Sequence, residues 1–203
     1  MKVIGKIYTD FSTKFGVPRQ SGLCDELCGK IVFEPEYRRE EAFRGLEDFS
    51  HIWVLWQFSE AEREEWSPTV RPPRLGGNKR MGVFATRSPF RPNNIGLSCV
   101  KLEKIDYDCS DSPVLYVSGI DMMNGTPVYD IKPYVPVADC RQDATDGFTH
   151  YTKDYSLDVV FDEKLLNVVK IPLKDFVQMV MDGKIQDSKT MAAILKVGRM
   201  FGV

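Results

Sequence analysis

The sequence predicts a mainly β fold, a barrel or sandwich of six or seven short strands, with a few helices and a small mixed C-terminal appendage. Three observations lead there. Short runs rich in Val, Ile, Trp and Phe recur at close spacing, bounded by Gly and Pro clusters. Several of them alternate apolar and polar residues, the period of a strand with one buried face. Helical apolar spacing is confined to one stretch before His51 and to the chain beyond Asp139.

Taken in order, Lys2–Thr9 reads as a strand, with Val3, Ile4 and Ile7 among polar residues. Asp10–Gly29 carries Gly16, Pro18 and Gly22 and reads as a loop; Lys30–Phe33 is a second strand. Pro35–Phe49 is expected to be helical, because Pro35 suits a first turn and Tyr37, Ala42, Phe43 and Leu46 can share a face. His51–Phe58 is a buried strand. Ser59–Arg80 holds SPTVRPPRLGGNKR and is expected to be irregular throughout. A long irregular stretch inside a compact domain is usually functional or disordered, and its basic character favours function. Met81–Thr86, Leu97–Tyr107, Val114–Asp121 and Val128–Ile131 complete the strands, with a turn-rich loop at Ser88–Gly96. Asn124-Gly125 is a tight-turn signal and reads as a hairpin before the strand bounded by Pro133. Beyond it, Tyr155–Phe161 reads as a last strand, and Glu163–Gly183 and Ser188–Arg199 as helices. The expected division is a β domain over 1–140 and an appendage over 141–203.

A chain of 203 residues with 43% hydrophobic and 28% charged residues can bury a core without disulfides or metals. Its longest apolar stretches, such as Ile52–Trp56, are too short to span a bilayer. The opening MKVIGKIYTDFS lacks the apolar run of a signal peptide, so the expected location is cytoplasmic. The five cysteines are odd in number, without a disulfide framework. Cys24 and Cys28 in LCDELCGK could hint at a metal, but no third cysteine follows nearby and the chain has only two histidines; free thiols and no metal are expected.

Charge is unevenly spread. The net charge is −2, yet Trp66–Lys101 contains Arg71, Arg74, Lys79, Arg80, Arg87, Arg91 and Lys101 and no acidic residue. A positive stretch on an acidic body is what local phosphate binding needs; a solvated basic loop is the other reading. Within it, GVFATRSPFRPNNIGLS packs two arginines, two prolines and two asparagines before Gly96. Prolines fix the loop's shape, and arginine forks suit carboxylate or phosphate. GIDMMNGTPVYDIKPYVP brings Asp121, Asp130, Lys132 and Tyr134 near one turn, and KFGVPRQSGL offers Arg19 and Gln20 in a loop. No GxGxxG following a strand, Walker A loop or GxSxG elbow is present.

PTVRPPRLGGNKRMGVFATRSPFRPNNIGLS together with DMMNGTPVYDIKPYVP resembles the TsaA/TrmO family over roughly residues 1–140. The resemblance implies a single small β-barrel that binds S-adenosyl-L-methionine. It implies a homodimer that methylates N(6)-threonylcarbamoyladenosine at tRNA position 37, in the anticodon region. The family's cofactor loop matches Pro18, Arg19 and Gln20. Its TRS arginine is Arg87, the residue after its Ile-Gly pair is Leu97, and its Asp-Gly-Thr-Pro turn is Asn124, Gly125, Thr126 and Pro127. The end of the Trp-rich strand adds Ser59 and Glu60. Arg71, Arg74, Lys79, Arg80 and Arg91 would hold RNA phosphates, with Arg87 on the cofactor carboxylate or a phosphate. The accepting nitrogen needs a base, for which Asp130 and Tyr134 are the candidates.

The sequence departs from the family pattern at Asn94 (commonly Pro), Asn124 (usually Asp) and Ser59 (often His). Longer members carry a C-terminal Asp-Pro-Arg element, where this chain has Gln186-Asp187-Ser188. Two other readings stand beside the tRNA methyltransferase: a methyltransferase of another RNA or small molecule, and a cofactor- or RNA-binding module without turnover.

Overall fold

Six strands close into an antiparallel barrel in the order β1-β2-β7-β6-β3-β8. They are β1 (Gly5–Thr9), β2 (Cys28–Phe33), β3 (His51–Gln57), β6 (Ile95–Asp106), β7 (Val114–Ser118) and β8 (Thr126–Pro133). A separate ribbon pairs β4 (Thr69–Val70) with β5 (Met81–Gly82). The structure, a computed structural model, describes residues 1–61, 65–152, 171–185 and 194–195. The chain divides into two units, Met1–Lys153 and Asp154–Val203. The first contains the barrel and a four-residue helix, α1 (Pro136–Asp139). The second contains α2 (Leu173–Met181), with Val180 buried. The strand expected at Tyr155–Phe161 lies outside the described residues, as do most of the helix at Ser188–Arg199 and the first part of Glu163–Gly183. No helix among the described residues is long and apolar enough to cross a membrane.

Alternation builds the barrel. In β3 the side chains of Ile52, Val54 and Trp56 are buried, while His51, Trp53, Leu55 and Gln57 are half-exposed. Gly96, Ser98, Val100 and Leu102 form the matching inward row of β6. The β3–β6 register pairs Trp56 with Gly96 and Val54 with Ser98. Ile7, Ile31, Ile52, Leu115, Met122 and Val128 are completely buried in the shared core. Each removes an apolar side chain from water, worth about 1.5–3 kcal/mol for groups of this size. These side chains fill the interior of the six-stranded barrel. A core filled in this way leaves no lumen for a ligand.

Three expectations are corrected. Pro35–Phe49 is not an α-helix but three separate 3-10 turns, Pro35–Tyr37, Glu40–Ala42 and Leu46–Asp48. Extended Arg39 separates the first two turns, and Gly45, at a left-handed φ of 84°, separates the second from the third. The apolar spacing was real: Phe43 is buried with its ring edge-on to Phe33 at 4.8 Å, and Tyr37 and Leu46 pack on the same core. Second, Ser59–Arg80 is not wholly irregular. It contains 3-10 turns at Ser59–Ala61 and Pro73–Leu75 and half of the β4–β5 ribbon, whose other strand is shorter than the expected Met81–Thr86. Third, Asn124-Gly125 does not join a hairpin, because β8 pairs with β1 and β3, and β7 with β2 and β6. The turn instead closes the barrel by docking on β1 and the chain just beyond it. Gly125 N–H donates to Ile7 O, Asn124 N–H to Phe11 O, and Thr9 N–H to Asn124 Oδ1.

Candidate functional site

One barrel mouth, where β3 ends at Gln57 and β6 begins at Ile95, opens into a cleft of about 600 Å³. Its floor is the end of the barrel core. Trp56, the last inward residue of β3, lies across Gly96; a Cβ on Gly96 would sit 2.2 Å from the indole. Only glycine permits that approach. The Trp56 N–H donates to the buried Ser98 Oγ (2.9 Å), whose hydroxyl donates to Asp121 Oδ1 (2.5 Å). Asp121 lines the cleft, held between the barrel and its rim. Burial pushes its carboxyl above the usual carboxylate range. The Ser98 hydroxyl, the Ser21 and Asp121 backbone N–H groups, and the Arg87 charge oppose that rise.

The walls are loops latched to the barrel. In the KFGVPRQSGL loop, Gly22 N–H donates to Gly119 O (2.9 Å), and Ser21 Oγ accepts from Cys99 N–H. The opposite loop is shaped by alternating hydroxyls. Thr86 Oγ1 donates to Val83 O and accepts from Ser88 N–H, and Ser88 Oγ accepts from Phe90 N–H. Such side-chain turns take the place of a backbone ladder. Arg91 Nη1 then donates to Thr86 O (2.7 Å) and Val83 O (3.2 Å), so this arginine is part of the loop's frame. The two walls meet where the Arg87 guanidinium donates to Gln20 Oε1.

Eight of the eleven residues expected at the cofactor line this cleft: Pro18, Arg19, Gln20, Ser59, Glu60, Arg87, Leu97 and Thr126. Leu97 is 52% exposed, an apolar surface turned outward at the mouth. Asn124, Gly125 and Pro127 are not among the lining residues; the first two hold β1, and Pro127 sits opposite Lys6 in the β1–β8 ladder. Of the residues expected at RNA, Arg91 also lines the cleft. Arg71, Lys79 and Arg80 are exposed on the β4–β5 side, Arg80 donating to Thr69 Oγ1, and Arg74 lies on the turn Pro73–Leu75.

The two candidate bases are elsewhere. Asp130 is paired with Lys132 at 3.0 Å along β8 and is not among the lining residues. Tyr134 packs by Trp53, ring centroids 5.7 Å apart, next to α1. Loss of solvent and then the neighbouring Cys140, Cys99 and Asp139 push its phenol up, away from proton acceptance at neutral pH. Asp121 is the carboxylate that sequence reasoning noted without assigning. Its signal was indirect: Ser98 is a polar residue on the inward face of an alternating strand, and a buried hydroxyl needs a partner. Trp56, Phe58, Thr86 and Phe90 also line the cleft without having been singled out.

The donor set has both signs of charge and apolar ring surfaces. Lys14, Arg19, Arg87 and Arg91 stand with Glu60 and Asp121 around Trp56, Phe58, Leu97 and Met123. Such a cleft suits a ligand with an aromatic ring, cationic centres and a carboxylate. No group of three or more His, Cys, Asp or Glu side chains among the described residues is arranged to hold a metal.

Residues 6–140 match the family model for the tRNA-methyltransferase O N-terminal domain. The chain is 49% identical over 145 residues to a tRNA (adenine(37)-N6)-methyltransferase of Escherichia coli (strain K12), covering 71% of this chain and 61% of that protein. It is 47% identical over 144 residues to a putative S-adenosylmethionine-dependent methyltransferase of Pseudomonas aeruginosa, covering 71% and 60%. A crystal structure of TrmO from Pseudomonas aeruginosa superposes with a TM-score of 0.60 at 41% identity, covering 72% of this chain and 60% of that one. The chain thus spans about 60% of the length of these relatives. With two thirds of its residues inside the matched domain, and all of the barrel but Gly5 within it, the chain belongs to the tRNA-methyltransferase O family.

Proposed function

We propose that this protein is an S-adenosylmethionine-dependent tRNA methyltransferase acting on the N(6) nitrogen of N(6)-threonylcarbamoyladenosine at position 37, beside the anticodon. One observation carries the reading. The Pro-Arg-Gln loop, the TRS arginine, Leu97 and Thr126 come from distant parts of the sequence and line a single cleft around the half-buried Asp121 carboxylate.

The cleft fits the cofactor by chemistry. Trp56, Phe58 and Leu97 offer apolar surface to an adenine, Arg19 and Arg87 offer donors to a carboxylate, and Glu60 offers an acceptor to an ammonium. S-adenosylmethionine, when bound, supplies an electrophilic methyl group on a sulfonium. The chain's residues supply alignment and proton removal. The accepting nitrogen lies between a purine and a carbonyl, so its lone pair is delocalised, and it is a weak nucleophile until its proton leaves. We assign the proton to Asp121 in preference to Asp130 or Tyr134. Asp121 alone of the three lines the cleft, and its raised pKa brings it closer to the working pH of a general base. Ser98 and Trp56 hold that carboxylate in one orientation. The loops fix the reacting groups in line, the larger part of what an enzyme contributes to a displacement. Arg71, Arg74, Lys79 and Arg80 supply positive charge for the phosphates of the anticodon stem. A homodimer in the cytoplasm belongs to the same proposal.

The test is methyl transfer from labelled S-adenosylmethionine to threonine tRNA that carries or lacks threonylcarbamoyladenosine, with nucleosides resolved by mass spectrometry. Label in the modified tRNA alone is the expected result. Label in neither, with cofactor bound, would refute the substrate assignment.

A further inference from the structure

A second cavity, of about 220 Å³, adjoins the cleft and shares Ala61, Phe90 and Arg91 with it. The reading of the main cleft makes no use of it. Its other lining residues are Glu65, Trp66, Pro92 and Asn94. Trp66 is 49% exposed, and Phe84 beside it is 70% exposed, with ring centroids 6.0 Å apart and planes within 30°. The Arg91 guanidinium lies 5.5 Å from the Phe84 ring centre. Two outward aromatic faces bracketed by an arginine gain nothing from the barrel core. Exposed aromatic faces that adjoin a cavity mark a surface that a partner's flat apolar face can cover.

We infer that this cavity and its aromatic rim take an unstacked nucleobase of the RNA substrate, next in the strand to the adenosine in the main cleft. The inference rests on the tRNA reading proposed above. Three observations favour a base over another occupant. Two exposed aromatic faces with a guanidinium alongside offer flat rings a surface to stack on, and single-stranded RNA is recognised largely that way. Five of the cavity's seven lining residues come from the stretch Trp66–Lys101, whose seven basic residues and lack of acidic ones complement a phosphate backbone. Beside Arg91, the cavity is lined by Glu65 and Asn94, whose carboxylate and amide can read a base edge. A carboxylate accepts from an exocyclic amino group, and an amide both donates and accepts. Glu65 therefore selects a base with an amino edge, adenine or cytosine in preference to uracil. Asn94, where the family commonly has proline, adds a hydrogen-bonding group that proline lacks.

The test uses the whole chain and an anticodon stem-loop RNA containing 2-aminopurine on one or the other side of the acceptor adenosine. RNA affinity and 2-aminopurine quenching are read for the parent, Trp66→Ala, Phe84→Ala and Trp66→Phe, with S-adenosylmethionine affinity read by calorimetry. In the parent, one of the two 2-aminopurine positions is quenched on binding. Trp66→Ala abolishes that quenching and weakens RNA binding by roughly five- to a hundredfold, the range measured for losing one base–aromatic stack. Phe84→Ala weakens it less, Trp66→Phe restores most of it, and cofactor affinity is unmoved in all three. Parent-like quenching and affinity in Trp66→Ala and Phe84→Ala would overturn the inference alone. Cofactor affinity lost along with RNA affinity would also overturn it, by showing that the rim had collapsed. A parent protein that binds cofactor but not the RNA would overturn the tRNA reading and the inference with it.

Discussion

The barrel wall and its rim are held together by different means. The wall is a continuous ladder: β3 alone pairs over seven positions with β6, and every inward side chain between Ile52 and Trp56 meets core. The rim, residues 10–27, 59–61 and 65–94, has little ladder. It is held by single hydrogen bonds: Cys99 N–H to Ser21 Oγ and Gly22 N–H to Gly119 O tie it to the barrel, and the Arg87 guanidinium to Gln20 Oε1 ties its two loops to each other. Stability therefore resides in the wall and chemistry in the rim, and the residues that serve both lie on the seam: Gly96, Trp56, Ser98 and Asp121.

Asp121 should give the largest functional effect. Asp121→Asn keeps an oxygen to accept from Ser98 but cannot take up a proton, and methyl transfer falls about 10²–10⁴-fold, the usual contribution of a general base. The parent's rate should decline on acidification through an apparent pKa above the ordinary carboxylate range, in single-turnover assays. Stability moves the other way. Burial raises the folded-state pKa, so the folded protein holds this proton to higher pH than the unfolded chain does. Stability contributed here is greatest below the unfolded value and is lost as pH rises through the raised value. Asp121→Asn lacks that loss. It melts above the parent at pH 7, and the gap narrows at acid pH. A variant that is fully active, or that melts lower at pH 7 than at acid pH relative to the parent, would break the assignment.

The legibility of the sequence follows the same division. β3 and β6 were readable because alternation is local and each strand carries its own inward row. The Pro35–Phe49 segment misled because Tyr37, Phe43 and Leu46 meet the core at a spacing that 3-10 turns satisfy as well as an α-helix does. Asn124-Gly125 was recognised as a turn, but turn chemistry does not say which strand the chain meets next. The PRQ and TRS loops were found through family resemblance, since nothing in their spacing alone brings Gln20 to Arg87, 67 residues away. Asp121 escaped assignment for the same reason. Its environment is made by Ser98, 23 residues distant, and by Trp56, a further 42 residues from that serine.

A wall substitution should separate stability from chemistry. Leu115 is completely buried in β7, away from the cleft. Leu115→Ala removes apolar contacts and leaves a cavity, at about 2–5 kcal/mol of folding stability in denaturant titration. Methyl transfer per folded molecule should stay within a few-fold of the parent. A proportionate collapse of turnover in the folded fraction would mean that the wall and rim are not separable in this way.

Gly96→Ala tests the seam. The added methyl would lie 2.2 Å from Trp56 Cε2, far inside contact distance, so the indole has to move. Overpacking of this kind costs about 1–3 kcal/mol, less than the Leu115 cavity at its upper end. The displacement also carries further than its energy implies. Trp56 N–H holds Ser98 Oγ, and Ser98 orients Asp121, so a rotated indole leaves the carboxylate without its fixed donor. Turnover should therefore fall by more than the loss of folded protein explains, and cofactor affinity should fall with it, because Trp56 floors the cleft. Measured beside Leu115→Ala, the ratio of lost turnover to lost stability should be high at Gly96 and near zero at Leu115. Equal ratios would mean that the buried relay beneath the cleft is ordinary core, and that the proton-accepting role rests on a carboxylate the barrel does not position.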